Sequence, residues 1–87
     1  MSETSETEPR VRSVVALHLD VDPARLLPGT RLGEDLCVDS LAAIEMAMVL
    51  EDEFDIALPE AALGDVRTYG DVVSVVREQV ERRLQEA

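Results

Sequence analysis

Apolar residues recur along this chain at the three- and four-residue spacings of amphipathic helices. The first helix predicted in this way should end near Leu19, because Asp22–Pro23 follows it. Its apolar positions are Val11, Val14, Val15 and Leu19. The last helix should start at Thr68-x-x-Asp71, which resembles a capping box. Its expected buried positions are Val72, Val73, Val76, Val80 and Leu84.

Between these two helices the pattern predicts a long connection and two further helices. Residues 20–39 contain Pro23 and the turn-forming pair Pro28–Gly29, and we expect Asp22 to cap a short helical turn there. Four leucines should anchor this connection to the core: Leu26, Leu27, Leu32 and Leu36. A second helix should run from Asp39–Ser40 to about Glu53, and a short third helix should lie near residues 59–63.

The length of 87 residues is enough for a single domain. Hydrophobic residues make up 46% of the chain, but Phe54 and Tyr69 are the only aromatic ones, so the core should be aliphatic. Such a composition favours an all-α fold, a four-helix bundle with a long first loop and a short third helix. We expect one domain over residues 9–84, a disordered acidic tail over residues 1–8, and a frayed end at 85–87.

The second predicted helix carries two apolar stripes, whereas an amphipathic helix normally has one. The stripe suited to the core consists of Ala43, Met46, Ala47, Leu50 and Phe54. The other consists of Leu41, Ile44 and Met48, with Glu45 beside it. Either neighbouring loops cover this second stripe, or it is a docking surface in which acidic side chains surround an apolar strip.

The net charge of −11 is concentrated in the middle of the chain. Residues 34–71 contain eleven acidic residues and one basic residue, Arg67. This charge would repel nucleic acids and anionic membranes and would attract a partner with a basic patch. The alternative is that the acidity only keeps the protein soluble.

The sequence lacks the residues that several classes of protein need for their function. Cys37 is the only cysteine and His18 the only histidine, so an internal disulfide and a Cys/His metal cluster are excluded. A serine hydrolase is excluded because it would need a base near Ser40 and a GxSxG elbow, and the sequence has neither. An EF-hand is excluded because it would need spaced oxygen ligands around a central glycine, which the acidic segments do not provide. We find no secretory signal or membrane span, and we expect a cytoplasmic monomer.

Asp39 and Ser40 stand together at the start of the second helix. If Asp39 caps the helix, the Ser40 hydroxyl remains free in the first turn, where backbone N–H groups and the helix dipole favour a phosphate. From these residues alone, an ordinary helix cap is the better explanation.

The segment LGEDLCVDSLAAIEMAMVLEDEFDIALPE, residues 32–60, strongly resembles the acyl carrier protein family. The attachment signature of that family is an Asp-Ser-Leu triplet after a Leu-Gly-x segment, followed by an acidic and apolar helix. Here the triplet is Asp39-Ser40-Leu41. The resemblance extends from about Val11 to Val80. The triplet alone is a weak motif, but within this length, helix order and acidity it is specific.

The resemblance implies a non-catalytic protein that carries acyl or polyketide intermediates as thioesters. A phosphopantetheinyl transferase would attach 4'-phosphopantetheine from coenzyme A to Ser40, and Asp39 would help to present the serine and Mg²⁺ to it. The other expected partners are ketosynthase- and acyltransferase-type enzymes with basic docking patches. The positions that match the partner surface of the family are Leu41, Ile44, Glu45 and Met48, and Glu51, Asp52 and Glu53 would extend its acidic face.

Some alternatives stay open at this point. The chain is expected to work with separate enzymes, and fatty-acid synthesis and a specialised polyketide or other natural-product pathway both fit. We favour the second because of Cys37–Val38 and because every basic residue is an arginine. Cys37 stands where the family usually has glycine; we predict a small buried side chain there rather than an exposed thiol. A carrier fold without a prosthetic group and a peptidyl carrier are the alternative functions.

Overall fold

The computed structural model describes residues 6–86, which form five α-helices and one 3₁₀ turn. The helices are α1 (Thr7–Leu19), α2 (Leu32–Leu36), α3 (Ser40–Phe54), α4 (Glu60–Leu63) and α5 (Tyr69–Glu86), and the 3₁₀ turn is Pro23–Arg25. These residues contain no strand, only an isolated antiparallel bridge between Arg31 and Thr68. The all-helical prediction is confirmed, but the expected loop between α1 and α3 contains the additional helix α2.

The first helix begins before residue 9, the predicted start of the domain. Thr7 and Glu8 were expected in a tail, but they form the first turn of α1, and Thr7 is buried. The Glu8 carboxylate accepts hydrogen bonds from the Tyr69 hydroxyl (2.6 Å) and from Arg12 (3.0 Å), which fixes this turn to α5. Residues 1–5 of the predicted tail lie outside the described residues, as does residue 87 of the predicted frayed end, and α5 continues through Glu86.

The core lies where α1 packs against α3 and α5. Its largest fully buried side chains are Tyr69, Leu26, Leu50, Val11, Val15 and Val76. Two predicted core positions are wrong, because Leu27 and Leu84 are exposed. Leu27 stands in a surface turn, where its N–H donates to the Thr30 hydroxyl. Leu84 lies in the last turns of α5, whose 18 residues extend beyond the 13 of α1.

Backbone hydrogen bonds join the loop between α1 and α2 to the start of α5. They run from Leu32 N to Arg67 O (3.0 Å), from Tyr69 N to Thr30 O (2.8 Å) and from Gly70 N to Pro28 O (3.0 Å). We call this contact between residues 28–32 and 67–70 the loop junction. The chains approach so closely that a Cβ atom at Gly70 would lie 2.8 Å from the Pro28 oxygen. The long connection is therefore fixed to the bundle by its backbone.

Both predicted caps at the ends of the connecting segments are present. Asp22 accepts a hydrogen bond from the Ala24 N–H (2.9 Å) and so caps the 3₁₀ turn. Thr68 and Asp71 form a reciprocal capping box, with Asp71 accepting from Thr68 N (3.0 Å) and Thr68 accepting from Asp71 N (3.2 Å). Across residues 6–86, every helix is too short or too polar to cross a membrane.

Candidate functional site

The start of α3 separates the roles of Asp39 and Ser40. Asp39 is the N-cap, and its Oδ1 accepts a hydrogen bond from the Ala42 N–H at 2.8 Å. Ser40 is the first residue of the helix and is exposed. Asp39 satisfies the cap, which is the condition under which the sequence left the Ser40 hydroxyl free, so this hydroxyl is not needed for capping.

A sharp turn between α2 and α3 presents this serine at the surface. The chain leaves α2 at Cys37, which has the left-handed conformation (φ 58°, ψ 35°), and Val38 N then donates to Leu32 O (2.9 Å). The prediction that Cys37 is buried is wrong, because the thiol is exposed. The left-handed backbone turns the chain back at the end of α2 and leaves the side chain outside the core. This conformation favours glycine, the residue that the resemblance led us to expect at this position.

The geometry at Ser40 fits an esterified phosphate. The first turn of a helix has backbone N–H groups without intrahelical partners, and the macrodipole is positive there. Asp39 takes up only the N–H of Ala42 among these. A phosphate on the Ser40 oxygen would therefore lie beside remaining N–H donors and in open solvent, where a long arm has room to move.

The two apolar stripes of α3 lie on different faces, as their spacing predicted. Met46, Ala47, Leu50 and Phe54 are buried, and Ala43 is half-buried. The exposed fractions of Leu41, Ile44 and Met48 are 66%, 54% and 58%. We call these three residues the apolar strip. The loops within residues 6–86 do not cover it, so the first of the two interpretations of this stripe is wrong.

The acidic residues of α3 differ in their contacts. Glu45 and Asp52 are exposed, and neither forms an ion pair within the described part of the chain. Glu53 pairs with Arg10 of α1 at 3.2 Å. The Glu51 carboxylate is half-buried and accepts a hydrogen bond from Leu58 N at 2.8 Å. Free negative charge therefore lies beside the apolar strip at Glu45 and Asp52, whereas Glu51 and Glu53 also hold the fold together.

Two pockets that could not be predicted from the sequence lie on either side of Leu58. An inner cavity of about 70 Å³ lies between α3 and α5, and all the residues that line it are of apolar types, including Met46, Leu50, Leu63 and Val72. An outer groove, lined by Ile44, Ala47, Met48, Glu51, Leu58, Glu60 and Leu63, lies between α3 and α4. Glu60 and Leu63 are three residues apart on α4, and that helical spacing was the only sign that they share a face.

Comparisons with known proteins agree with this arrangement. The family model described as the phosphopantetheine attachment site matches residues 9–76. An acyl carrier protein of Phenylobacterium zucineum is 38% identical over 76 residues, which are 87% of this chain and 96% of that protein. An acyl carrier protein of Caulobacter vibrioides is 40% identical over 70 residues, covering 80% of this chain and 90% of that protein.

The fold is also similar to a solved structure. The solution structure of a holo acyl carrier protein from Geobacter metallireducens superposes with a TM-score of 0.81 over 94% of both chains, at 21% identity. Fold and site together define a helical carrier domain with a covalently attached 4'-phosphopantetheine. The chain belongs to the acyl carrier protein family. Members of this family are carriers rather than catalysts, and they interact with a phosphopantetheinyl transferase and with biosynthetic enzymes.

Proposed function

We propose that Ser40 is the residue that carries the phosphopantetheine, and that this chain shuttles acyl intermediates between separate cytoplasmic enzymes. One observation carries the proposal: Ser40 is exposed in the first turn of α3, while the neighbouring Asp39 supplies the helix cap. The prosthetic group supplies a flexible arm that ends in a thiol, on which an acyl group is held as a thioester. The protein supplies the serine, the phosphate-binding helix end and the surface on which partners dock.

The proposed docking surface consists of the apolar strip with Glu45 and Asp52, and Glu51 and Glu53 border it. Burial of Leu41, Ile44 and Met48 against a partner would supply hydrophobic contact. The unpaired carboxylates of Glu45 and Asp52 would attract a basic patch and orient the carrier before contact. Because Ser40 begins the same helix, a partner bound there would lie beside the arm. Asp39, exposed next to Ser40, would face the transferase and its metal ion.

The attachment residue is tested by intact mass spectrometry. The full chain is incubated with coenzyme A, Mg²⁺ and a broad-specificity phosphopantetheinyl transferase. We expect the mass of one phosphopantetheine to be gained, and we expect Ser40→Ala to abolish the gain. Ser74→Ala is the matched control, because Ser74 is an exposed serine on α5. A gain that survives in Ser40→Ala would overturn the assignment, and no gain even with a dedicated transferase would favour a carrier fold without an arm.

The docking surface is tested by the kinetics of the same reaction. Asp52→Asn and Glu45→Gln should each lower kcat/KM for modification at low salt, and the difference from wild type should shrink as salt is added. Glu78→Gln is the control, because Glu78 is an exposed acid on α5 that pairs with Arg82 (3.0 Å). Equal effects of all three substitutions would mean that only the total charge matters, and that α3 is not the docking face.

We further propose that the cargo belongs to a specialised polyketide or related pathway rather than to fatty-acid synthesis. The support is Cys37–Val38 before the attachment site and the use of arginine alone as the basic residue. The holo protein should accept its acyl group from a polyketide-type acyltransferase and deliver it to a polyketide-type ketosynthase. Faster turnover with the corresponding fatty-acid enzymes would contradict this assignment, and loading by an adenylation enzyme would indicate a peptidyl carrier instead.

A further inference from the structure

One arginine in residues 6–86 forms neither a hydrogen bond nor an ion pair. Five of the others pair with acidic side chains, and Arg25 and Arg67 donate to backbone carbonyl oxygens. Arg77 of α5 does neither, although it is half-buried. A charge that is partly removed from water without a partner costs the fold free energy. An anion that binds to Arg77 therefore displaces less water than it would at an exposed arginine.

Arg77 lines a pocket on the flank of the bundle formed by α1 and α5. The pocket holds about 460 Å³, and its lining comes from the start of α1, the loop junction and the first half of α5. We call it the α1–α5 pocket; its lining includes Glu8, Arg12, Pro28, Tyr69 and Arg77. Among the described residues that line it, none belongs to α3. The α1–α5 pocket and the apolar strip are therefore separate surfaces.

The charged residues of the α1–α5 pocket are two arginines and one glutamate, which leave one positive charge. The Glu8 carboxylate is already satisfied, because it pairs with Arg12 (2.8 Å) and accepts from the Tyr69 hydroxyl (2.6 Å). Burial alone would raise the pKa of Glu8, but hydrogen bonds from Tyr69 and Arg12 and the charges of Arg12 and Arg77 lower it. Arg77 thus lies near this pair, and its guanidinium is the group left to bind an anion.

A single free guanidinium favours a carboxylate as the ligand. The two groups match in a planar arrangement with two parallel hydrogen bonds. A carboxylate carries one negative charge, as many as the pocket can neutralise, whereas a phosphate monoester carries nearly two at neutral pH. Glu8 and the net charge of −11 repel the second charge. A carboxylate on a protein side chain also brings an aliphatic stem, which can pack against Pro28 and Val73 at the edge of the pocket.

We propose that the α1–α5 pocket is a second docking site, which binds an acidic side chain of a partner protein through Arg77. Its charge selection is opposite to that of α3, where the acidic residues of this chain would attract a basic patch. Because the two surfaces share no residue, a partner can hold the carrier at the α1–α5 pocket while α3 stays accessible. The proposal depends neither on an arm at Ser40 nor on docking to α3, so failure of those experiments leaves it unaffected.

The pocket is tested on the full chain by NMR titration with the peptide Ac-Gly-Glu-Gly-NH2. The titration is done at about 0.15 M salt, where a Debye length of about 8 Å screens the repulsion between distant charges. We expect saturable shifts of the backbone signals of Gly70, Val73 and Arg77 and of the Nε signal of Arg77. The uncharged peptide Ac-Gly-Gln-Gly-NH2 should produce none. Absence of a saturable shift with the glutamate peptide would overturn the proposal.

Two substitutions that remove the same charge from α5 show whether Arg77 itself binds the peptide. Arg77→Gln should lower the affinity about ten- to a hundredfold, the factor corresponding to a hydrogen bond to a charged group. Arg82→Gln is the matched control, because Arg82 is exposed and pairs with Glu78 at 3.0 Å. It should bind the peptide as wild type does, and both variants should keep the helical circular-dichroism spectrum. An equal loss of affinity in both variants would mean that only the total charge matters and would refute the site.

Other occupants of the pocket are outcomes of the same titration. If inorganic phosphate shifts the Arg77 signals with a higher affinity than the glutamate peptide, the site is a phosphate site and the assignment to a carboxylate is wrong. Glu3 of the chain itself is a further candidate, which Glu3→Gln tests against Glu81→Gln, a change at an exposed acid of α5. We expect both variants to bind the peptide with equal affinity. A higher affinity in Glu3→Gln alone would show that this chain's own carboxylate competes for Arg77, and would overturn the assignment to a partner.

Discussion

Replacing Cys37 with glycine is expected to stabilise this domain. Cys37 is one of three residues other than glycine with a positive φ between residues 6 and 86, and it has φ 58° and ψ 35°. Its N–H donates to Leu32 O and closes α2. That bond belongs to the backbone, so glycine would retain it while removing the Cβ atom that makes this conformation unfavourable.

The magnitude follows from two opposing effects. The left-handed conformation costs a residue with a Cβ atom about 1–2 kcal/mol. Glycine avoids this cost, but it has more conformational freedom in the unfolded chain, and fixing it in the fold costs roughly 0.5–1 kcal/mol. We therefore expect Cys37→Gly to raise the free energy of unfolding by about 0.5–1 kcal/mol, which corresponds to a rise in Tm of about 2–8 °C for a domain of this size.

The assay is thermal and urea unfolding followed by circular dichroism under reducing conditions. Cys37→Ala is the decisive control, because it removes the thiol but keeps the Cβ atom, and it should not stabilise the protein. Asp20→Gly tests a second left-handed helix end (φ 55°, ψ 50°), where the gain should be smaller because aspartate tolerates this conformation better than most residues. If Cys37→Ala stabilises the protein as much as Cys37→Gly, the thiol and not the backbone is responsible, and the reasoning is refuted.

Three further predictions concern the contacts that hold the site in position. Gly70→Ala should lower the free energy of unfolding by about 1–3 kcal/mol, measured by urea denaturation, because its Cβ atom would lie 2.8 Å from the Pro28 oxygen. Burial alone would raise the pKa of Glu8, but hydrogen bonds and nearby arginine charges hold this pKa below its ordinary value of 4.5. The Glu8 carboxylate thus contributes stability above pH 4.5 that is lost as the pH falls through its lowered pKa. Tyr69→Phe removes the 2.6 Å hydrogen bond to Glu8, so the Tm of this variant should fall less than that of wild type when the pH is lowered from 7. Asp39→Ala should destabilise the protein by about 1 kcal/mol in urea denaturation, whereas Asp39→Asn, which also caps helices, should change it little.

Much of the fold could be predicted because helical periodicity and caps are local. The two faces of α3 followed from the spacing of Leu41, Ile44 and Met48 against that of the core residues. The Asp39 cap and the Thr68–Asp71 capping box followed from side chains that satisfy N–H groups within the same few residues. α2 was not predicted because its five residues are too few to show a period.

What the sequence did not predict depends on contacts between distant residues. The loop junction consists of backbone hydrogen bonds, which have no side-chain pattern. The role of Glu51 at Leu58 N could not be read from its position among three consecutive acids, because only the course of the chain after α3 brings Leu58 back to it. For Cys37, the resemblance led us to expect glycine at this position, but it did not indicate that the backbone there is left-handed or that the side chain is exposed.

The loop junction has a consequence for the order in which the domain folds. Between Leu32 and Arg67 the chain forms a closed loop that contains α2, α3 and α4, with its two ends joined by a backbone hydrogen bond. Closing a loop of this length reduces chain entropy, whereas helices form from neighbouring residues at little such cost. The junction should therefore form late, after α3 has packed on α1. In the native protein the loop junction should open by local unfolding. The segment with Ser40 would then separate from the start of α5, while α1 and α5 stay paired.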